Sequence, residues 1–250
     1  MLAEERFSEI TRLVNERKTV TVQELTEYLD TSESTIRRDL TTLHKRKMLI
    51  KVHGGATAID MGYTTKDVDV ASRQDMNIEE KVQIARCAAE LIEKDDFVYI
   101  DAGTSTEFLI DYITEQEAVY VTNAILHARK LSQKGCRVFL IGGELKESTE
   151  AIVGAVALEN LSRYHFTKGF FGANGVHPEK GLTTPEINEA VVKEKAFLQC
   201  KERFVLADSS KINQVSSVRF AEFADAVILT TTLRDTLWKK YENVMEAEKA

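Results

Sequence analysis

Apolar residues recur at helical spacing near the start of the chain. Phe7, Ile10 and Val14 stand three or four residues apart, which is the period of one buried helix face. Acidic residues precede this stripe and Arg17 follows it, in the order that a helix dipole favours. The pattern therefore predicts a first helix over Leu2–Arg17.

Two further helices are predicted directly after the first. Thr21 and Glu24 have the spacing of a capping box, which opens a short second helix. Ser32 can cap a third helix, whose apolar stripe runs from Ile36 to Leu43 with one member per turn. Three short helices joined by tight turns, the third with a polar outer face, are typical of a helix-turn-helix.

A β-hairpin is predicted after the third helix. Met48–Val52 is an apolar run of strand length, His53 and two glycines form a turn, and Ala56–Ile59 can return as the partner strand. A hairpin in this position is the wing of a winged helix, and it would bring Lys51 and His53 near DNA phosphates or the minor groove. An ordinary turn histidine without a ligand is an equally good interpretation of His53.

The third helix carries a polar face that suits a groove of DNA. Short hydroxyl side chains and two adjacent arginines, Arg37 and Arg38, point away from its apolar stripe. Hydroxyl groups approach phosphates closely, and arginine can donate two hydrogen bonds to guanine. A solvated helix face that happens to carry two arginines is the alternative. The candidate DNA contacts are Thr21, Ser32, Ser34, Thr35, Arg37, Arg38, Lys51 and His53.

From residue 78 onward, short apolar runs alternate with stretches of helical period. This alternation is typical of an open, mostly parallel sheet with helices on both faces. The fold class is therefore α/β, with a winged helix-turn-helix at 1–58, a linker at 59–74, an α/β domain at 75–250 and a terminal helix expected from Leu233. Strands are predicted at Phe97–Ile100, Val119–Val121, Val138–Ile141, Lys168–Phe171, Arg203–Ala207 and Ala226–Thr230, and helices from Ile78 and over Leu126–Leu131, Val153–Leu161 and Pro185–Gln199.

The charge of the chain is unevenly distributed. A net charge of −7 taken alone argues against a nucleic-acid-binding protein. Residues 1–57, however, hold 10 basic and 9 acidic side chains, and six basic residues but one acid lie between Ile36 and His53. A local basic patch on an acidic protein fits a small DNA-binding unit attached to a larger body.

Cysteine and histidine usage narrows the class of protein further. The three cysteines are far apart and lack CxxC spacing, which favours a reducing, cytoplasmic compartment. No apolar run approaches a membrane span in length. The histidines have no metal-ligand spacing with one another or with the cysteines, so neither a metal nor a cofactor is expected.

Turns at the ends of the predicted strands form the second candidate site. In an open α/β sheet, ligands bind at the carboxyl ends of the strands. The turn 101–106 offers a glycine, three hydroxyls and a helix start to an anion, without the spacing of a Walker A or dinucleotide loop. A tight turn with a capped helix is the alternative. The candidate effector contacts are Asp101, Gly103, Thr104, Ser105, Thr106, Thr122, Asn123, Asn174 and Lys211.

Three charged residues near these turns allow two interpretations. Lys211 can supply a point charge to the same anion, whereas a solvated surface lysine is the alternative. Glu189 and Lys193 stand four residues apart on a predicted helix, where an ordinary ion pair is expected. The alternative is that one member of this pair faces the ligand.

Several residues form a signature with fixed spacing, namely Arg6, Ile10, Val14, Ser32, Thr35–Leu40 and His53–Ala56. Together they resemble the N-terminal signature of the DeoR family of bacterial transcription regulators. The strand-end turns resemble the effector domain of the same family, so the likeness covers about residues 1–232. It implies a second domain similar in fold to ribose-5-phosphate isomerase, operator DNA and a phosphorylated sugar as partners, and a homodimer or homotetramer.

The resemblance also suggests an effector and an alternative activity. The start Met-Leu-x-x-Glu-Arg and the His-Gly-Gly wing are most similar to repressors of fructose or tagatose/lactose phosphotransferase operons, which implies fructose 1-phosphate first and tagatose 6-phosphate second. A sugar-phosphate isomerase-like enzyme with an appended DNA-binding domain is the alternative. That isomerase uses the carboxylates of an Asp-Gly-Ala-Asp turn, and the corresponding turn here is Phe171–Asn174. Because a phenyl ring and an amide cannot replace carboxylates in proton transfer, we expect a sensor and not an enzyme.

Overall fold

The computed structural model describes residues 3–17, 19–46, 48–58, 63–64, 73–231, 233, 238 and 240–247. The chain divides into two compact units, one formed by Met1–Gly62 with Arg234–Lys240 and the other by Tyr63–Leu233 with Tyr241–Ala250. Most of the predicted linker 59–74 lies outside the described residues. No helix in the described part of the chain is long and apolar enough to cross a membrane.

The first unit combines three helices with a small antiparallel sheet. Its strands are β1 (Thr19–Thr21), β2 (Ile50–Val52) and β3 (Gly55–Thr57), and β3 lies in the middle and pairs with both neighbours. The predicted capping box is confirmed at the start of the second helix. The Thr21 hydroxyl accepts from the Glu24 backbone amide, and the Glu24 carboxylate accepts from the Thr21 backbone amide. The helices are α1 (Ala3–Arg17), α2 (Val22–Tyr28) and α3 (Glu33–Lys45).

The predicted apolar stripes form the core of this unit. Ile10 and Val14 of α1 and Ile36, Leu40 and Leu43 of α3 are fully buried. The hydrophobic period of the sequence therefore predicted the inward face of both helices correctly, because one residue per turn must leave water for the helices to pack. The polar face of α3 is consequently turned outward.

The two glycines of the wing, Gly54 and Gly55, are favoured at their positions for two different physical reasons. Gly54, in the turn between β2 and β3, has φ +82°, a left-handed conformation that favours glycine. Gly55 lies against β1, where a Cβ atom would overlap the carbonyl oxygen of Val20. One glycine thus permits the turn and the other permits the close approach of two strands.

The second unit is built on a parallel sheet. In their order across the sheet, its strands are β17 (Val244–Glu246), β16 (Val227–Thr230), β13 (Cys200–Leu206), β10 (Phe166–Gly172), β5 (Phe97–Ile100), β6 (Val119–Thr122) and β7 (Arg137–Leu140). Val98, Tyr99 and Ile100 are consecutive in the central strand β5 and all fully buried, so helices and loops cover both faces of the sheet. The predicted open α/β architecture is confirmed.

Helices and short antiparallel strands surround this sheet. The predicted helix Val153–Leu161 begins later, at Ala155, because Ala151–Val153 pairs as a strand instead. The helices are α4 (Ile78–Ala89), α5 (Thr104–Tyr112), α6 (Ile125–Gln133), α7 (Ala155–Leu161) and α8 (Ile187–Leu198). The additional strands are β4 (Tyr63–Thr64), β8 (Glu144–Lys146), β9 (Ala151–Val153), β11 (Gly175–His177), β12 (Gly181–Thr184), β14 (Val215–Ser216) and β15 (Val218–Ala221).

The expected terminal helix after Leu233 is wrong for the described part of the tail. Val244–Glu246 forms β17, which extends the sheet in parallel with β16. The amide of Ala247 donates to the Thr230 carbonyl at 2.7 Å, and the amide of Ile228 donates to the Asn243 carbonyl at 2.8 Å. These hydrogen bonds give partners to backbone groups of β16. They stabilise the strand more than the helix-favouring residues of the Glu-rich tail stabilise a helix.

Candidate functional site

The start of α3 presents a cluster of hydroxyl groups. Ser32 caps the helix, and its Oγ accepts from the Thr35 amide at 3.4 Å. The same oxygen lies 3.0 Å from Ser34 Oγ and 2.9 Å from Thr35 Oγ1. Ser32 and Ser34 are exposed and Thr35 is partly exposed. The structure therefore brings these three predicted DNA contacts together on one side of the helix start.

The two arginines of α3 differ in their surroundings. Arg37 lies 3.1 Å from Glu33, one helical turn earlier, in an exposed ion pair. Arg38 is exposed, and no ion pair or hydrogen bond of its guanidinium is found among the described residues. Arg38 is therefore immediately available to an anion or a base, whereas Arg37 must first leave Glu33.

Asp39 orients α3 from its buried side. Its carboxylate accepts two hydrogen bonds from the Arg6 guanidinium of α1, at 2.5 and 3.2 Å. The hydrogen bond to Asp39 raises the pKa of Arg6. Arg6 and Asp39 of the signature therefore have a structural role, since they join α1 to α3. The neighbouring Arg37 and Arg38 lie on the exposed face of α3.

The remaining predicted DNA contacts have mixed positions. Lys51 of the wing donates from Nζ to Thr41 Oγ1 of α3 at 2.7 Å, so it lies beside the third helix. His53 is exposed in the turn of the wing. The hydroxyl of Thr21, in contrast, both donates to and accepts from Glu24 in the capping box. Thr21 is therefore committed to the start of α2.

In the second unit, a cleft opens at the carboxyl ends of β5, β10 and β13. Its cavity volume is about 40 Å³, which is below the range usual for small-molecule sites, so a ligand as large as a sugar phosphate requires the cleft to widen. The position agrees with the rule for ligands in open α/β sheets. The lining residues are Arg73, Met76, Asn77, Lys81, Ala102, Gly103, Thr104, Ser105, Thr149, Gly172, Ala173, Asn174, Glu189, Lys193, Asp208 and Lys211.

A buried ion pair forms the base of this cleft. Lys193 of α8 donates from Nζ to Asp101 Oδ2, and the two side chains are 6% and 1% exposed. The same carboxylate oxygen accepts from the Gly172 amide at 3.1 Å. Burial raises the pKa of Asp101, and the adjacent Lys193 ammonium opposes this rise. The pair fixes the end of β5, the end of β10 and α8 relative to one another.

Two lysines give one side of the cleft a positive potential. Lys81 of α4 is buried and donates from Nζ to the Arg73 carbonyl. Burial lowers the pKa of Lys81, and the charges of Lys211 and Arg73 lower it further, although Asp208 opposes them. Within the described residues neither Lys81 nor Lys211 has a carboxylate within ion-pair distance. Clustered cations of this kind attract an anionic ligand.

The first turn of α5 faces the same space. Gly103 is the N-cap residue, and because it has no side chain it leaves the first amides of the helix without a capping oxygen. Thr104 and Ser105 follow it along the cleft. The first amides of a helix lack internal partners and favour negative charge. The φ of Gly103 is 160°, which is extended backbone, and a Cβ there would meet only Thr106 Oγ1 at 3.4 Å. The glycine is therefore not required by backbone strain.

The structure separates the predicted effector residues into two groups. Gly103, Thr104, Ser105, Asn174 and Lys211 line the cleft, whereas the others lie behind its wall. The second group supports the wall from behind. Thr106 Oγ1 donates to the Gly103 carbonyl at 2.9 Å, and Asn123 Oδ1 accepts from the Ala102 amide at 2.8 Å. Thr122 Oγ1 accepts from the Ala124 amide at 3.2 Å, and Asp101 binds Lys193.

The prediction of an ion pair between Glu189 and Lys193 is wrong. Glu189 lies 2.9 Å from Lys146 of the β8–β9 hairpin and also accepts from Thr149, while Lys193 binds Asp101. Burial would raise the pKa of Glu189, but Lys193, Lys146 and Thr149 together lower it. Both residues line the cleft. Their i, i+4 spacing was visible in the sequence, but the side of α8 that faces the sheet was not.

The other residues missed from the sequence come from the segment before and within α4. Arg73, Asn77 and Lys81 line the cleft although they precede β5 in the chain. Asn77 donates from Nδ2 to Asp208 Oδ1 at 2.9 Å, which ties this segment to the end of β13. A short polar segment without a hydrophobic period does not indicate, from its sequence, that it will pack against a strand end far away in the chain.

The segment Phe171–Asn174, at the carboxyl end of β10, has no acid–base group at its first position. Phe171 is fully buried, with its ring 5.5 Å from that of Tyr99 and 5.3 Å from that of Phe197. Asn174, at the last position of the turn, accepts from Thr184 Oγ1 at 3.2 Å. The turn can therefore shape and hydrogen-bond a ligand but cannot exchange protons with it. Among the described residues, no cluster suited to a metal ion occurs.

Comparison with protein families matches both units. Residues 6–61 match the DeoR-like helix-turn-helix domain, and residues 76–232 match the DeoR C terminal sensor domain. The "Uncharacterized HTH-type transcriptional regulator FruR" of Bacillus subtilis (strain 168) is 40% identical over 243 residues, which cover 97% of this chain and 96% of that protein. The lactose phosphotransferase system repressor of Streptococcus mutans serotype c is 35% identical over 238 residues, 94% of each protein.

Solved structures resemble only part of the chain. Ribose 5-phosphate isomerase A of Methanocaldococcus jannaschii aligns with 54% of this chain and 55% of its own, at a TM-score of 0.39 and 16% identity. The delta subunit of eIF2B from Chaetomium thermophilum aligns with 60% of this chain and 58% of its own, at a TM-score of 0.41 and 15% identity. Likenesses this weak carry no argument about activity.

Proposed function

The chain belongs to the DeoR family of bacterial transcription regulators, and on that premise we propose that it represses a sugar-utilisation operon and responds to a phosphorylated sugar. The observation that carries the proposal is the cleft, in which Lys81 and Lys211 lack carboxylate partners in the described structure beside the first turn of α5. Two cations and free helix amides suit a phosphate group better than a neutral sugar.

The proposed operator contacts lie on the outward face of α3 and on the wing. Arg38 and Arg37 read bases in the major groove, while the hydroxyls of Ser32, Ser34 and Thr35 approach the DNA backbone. Lys51 and His53 contact phosphates or the minor groove from the wing. Thr21 supports this surface through the cap of α2. Such a protein acts on DNA in the cytoplasm.

The proposed effector contacts combine a charged end and a polar end of the cleft. The phosphate binds Lys81, Lys211 and the amides of Thr104 and Ser105. The sugar hydroxyls meet the polar groups of the opposite walls, including Asn174, Glu189 and Thr149. Asp101, Thr106, Thr122 and Asn123 hold the walls in place from behind.

The identity of the sugar is proposed from the names of relatives, and the geometry of the cleft does not select one hexose phosphate over another. A relative named FruR and relatives named lactose phosphotransferase system repressor favour fructose 1-phosphate first and tagatose 6-phosphate second. The ligand must bind the DNA-competent and DNA-incompetent states with different affinity, since equal affinity shifts no equilibrium. The functional form is a homodimer or homotetramer, because a single winged helix contacts few base pairs.

A sugar-phosphate isomerase activity is the second candidate. The buried ring of Phe171 and the amide of Asn174 argue against it, since neither supplies a carboxylate base at that turn. Incubation of the purified protein with pentose and hexose phosphates tests this directly. A steady isomerisation rate that copurifies with the protein through every step would establish the enzyme.

The proposed function is tested by coupling DNA binding to ligand binding in the full chain. DNA fragments that the full-length protein enriches from the source genome are labelled, and their binding is followed by fluorescence anisotropy. We expect one sugar phosphate to lower the affinity for DNA and to raise the unfolding midpoint, and the unphosphorylated sugar to do neither. Specific DNA binding that no sugar phosphate changes would refute the proposed effector class and leave the DNA-binding role standing.

A further inference from the structure

The carboxylate of Glu189 uses only one of its two oxygens within the protein. The side chain is 11% exposed, and Lys146 and Thr149 of the β8–β9 hairpin both donate to Oε1, Lys146 at 2.9 Å. Oε2 accepts no hydrogen bond from the described residues. Because Glu189 lines the cleft, this second oxygen is left for a ligand that carries a hydrogen-bond donor.

The cations around Glu189 are already neutralised by carboxylates. Lys146 lies 2.9 Å from Glu189 and 3.8 Å from Glu186, so one cation serves two carboxylates. Lys193, one turn further along α8, binds Asp101. These two cations face three carboxylates, so one negative charge remains and neither cation is left over for an anionic group of a ligand.

Positive charge collects at the other end of the cleft. Lys81 of α4 and Lys211 of the turn after β13 line the cleft without a carboxylate at ion-pair distance in the described structure. Burial raises the pKa of Glu189, and Lys193 and the hairpin lower it, whereas Lys81 and Lys211 have no comparable effect on it. The cleft therefore has a positive end at the two lysines and a negative end at Glu189.

We propose that Glu189 limits the effector to sugars that carry a single anionic group. This inference rests on the proposed function, in which the phosphate binds Lys81 and Lys211. With the phosphate there, the sugar extends towards Glu189, and one of its hydroxyl groups donates to Oε2. A second phosphate, or the carboxylate of a sugar acid, would instead meet a largely buried negative charge. Because like charges repel strongly in such a site, sugar bisphosphates and phosphorylated sugar acids are rejected.

Asn174 strengthens the preference for hydroxyl groups. Its Oδ1 accepts from Thr184 Oγ1 at 3.2 Å, which leaves the Nδ2 amide group for the ligand. A hydroxyl group both donates and accepts, so the hydroxyls of a sugar can use Asn174 Nδ2 and Glu189 Oε2 together. A phosphate or a carboxylate only accepts, so it can use the first partner and is repelled by the second.

The test measures dissociation constants of the full-length protein by isothermal titration calorimetry at constant pH and salt. Fructose 1-phosphate, fructose 6-phosphate and tagatose 6-phosphate are the probes with one anionic group. Fructose 1,6-bisphosphate and 6-phosphogluconate are the probes with two. We expect the wild type to bind at least one of the first three about tenfold or more tightly than either of the other two.

The variant Glu189→Gln removes the charge and keeps the size of the side chain. It retains an oxygen that can accept from Lys146 and Thr149, so the hairpin keeps its contacts with α8. We expect this variant to lose most of the preference, chiefly because the probes with two anionic groups bind more tightly. Glu194→Gln makes the same substitution at an exposed position of α8 outside the cleft and should keep the wild-type preference.

A second variant separates the charge of Glu189 from its contact with the hairpin. Lys146→Met removes the ion pair but leaves the Glu189 charge in place with less compensation, so it should discriminate at least as strongly as the wild type. If Glu189 acted only by holding the hairpin, Glu189→Gln and Lys146→Met would both weaken the preference.

The possible failures are distinguishable. Equal affinity of the wild type for fructose 1,6-bisphosphate and for the monophosphates would overturn this inference and leave the proposed effector class standing. A full preference in Glu189→Gln would also overturn it, and so would a lost preference in Glu194→Gln or Lys146→Met. A wild type that binds none of these probes would refute the proposed function and this inference together.

Discussion

Lys193 and Asp101 form a buried ion pair although 92 residues separate them in the chain. The carboxylate that accepts from Lys193 also accepts from the Gly172 amide, so one buried oxygen joins α8, the end of β5 and the end of β10. These three segments are three walls of the cleft. The geometry of the candidate site therefore depends on a charge pair that the ligand itself need not touch.

Removal of the Asp101 charge should destabilise the protein strongly. Asp101→Asn keeps the size of the side chain but leaves the Lys193 ammonium buried without a counter-charge, which costs about 3–5 kcal/mol in comparable pairs. Chemical denaturation followed by circular dichroism measures the loss. Glu159→Gln breaks the exposed pair with Arg163 and is the control, with an expected change of less than about 1 kcal/mol. Equal losses in the two variants would contradict the structural role of the buried pair.

The elements that the sequence predicted correctly are those with a strong local signal. The stripe from Ile36 to Leu43 has a helical period because one face of α3 must leave water, and Phe97–Ile100 is a short apolar run because β5 is covered on both faces. The caps at Thr21 and Ser32 were equally visible, since a cap is a contact between residues three apart.

The errors concern elements and contacts that only tertiary structure determines. Val244–Glu246 becomes a strand because β16 offers it backbone partners, and nothing in the Glu-rich tail itself favours that conformation. Lys193 reaches Asp101, and Lys81 reaches the cleft from α4, through chain reversals that span many residues. A lysine on a helix has the same local pattern whether it faces water or a buried carboxylate, so the sequence could not distinguish the two.

Arg38 should contribute more to operator affinity than Arg37. Its guanidinium has no partner among the described residues, whereas Arg37 must give up its 3.1 Å ion pair with Glu33 before it can bind DNA. We expect Arg38→Ala to lower specific affinity by about 1–3 kcal/mol and Arg37→Ala to lower it less, measured by anisotropy at constant salt. Arg163→Ala, an exposed cation of the sensor unit, is the control. A larger loss from Arg37→Ala would show that the pair with Glu33 does not persist or does not matter.

Lys211 should be required for the response to the effector but not for DNA binding. Its ammonium lies at the cleft without an ion pair in the described structure, so Lys211→Ala removes a charge from the proposed phosphate site without unpairing another group. We expect the variant to bind operator DNA with wild-type affinity and to lose the sugar-phosphate shift in unfolding midpoint. Lys180→Ala, at an exposed position outside the cleft, should retain that shift. Normal release of the Lys211 variant from DNA would place the phosphate elsewhere.

His127 should make the protein less stable as the pH falls below neutrality. Burial lowers its pKa from 6.5 to about 3, Lys130 and Lys193 add to this effect, and a hydrogen bond to the Gly103 backbone opposes it. Because the folded pKa lies below the unfolded value, the folded state binds fewer protons, and its stability is retained above pH 6.5 and lost progressively towards pH 3. One such group contributes a slope of about 1.4 kcal/mol per pH unit within this window. In denaturant titrations at pH 7 and 5.5, His127→Gln should lose less stability on acidification than the wild type by about 1 kcal/mol, while His165→Gln, at an exposed position, should match the wild type.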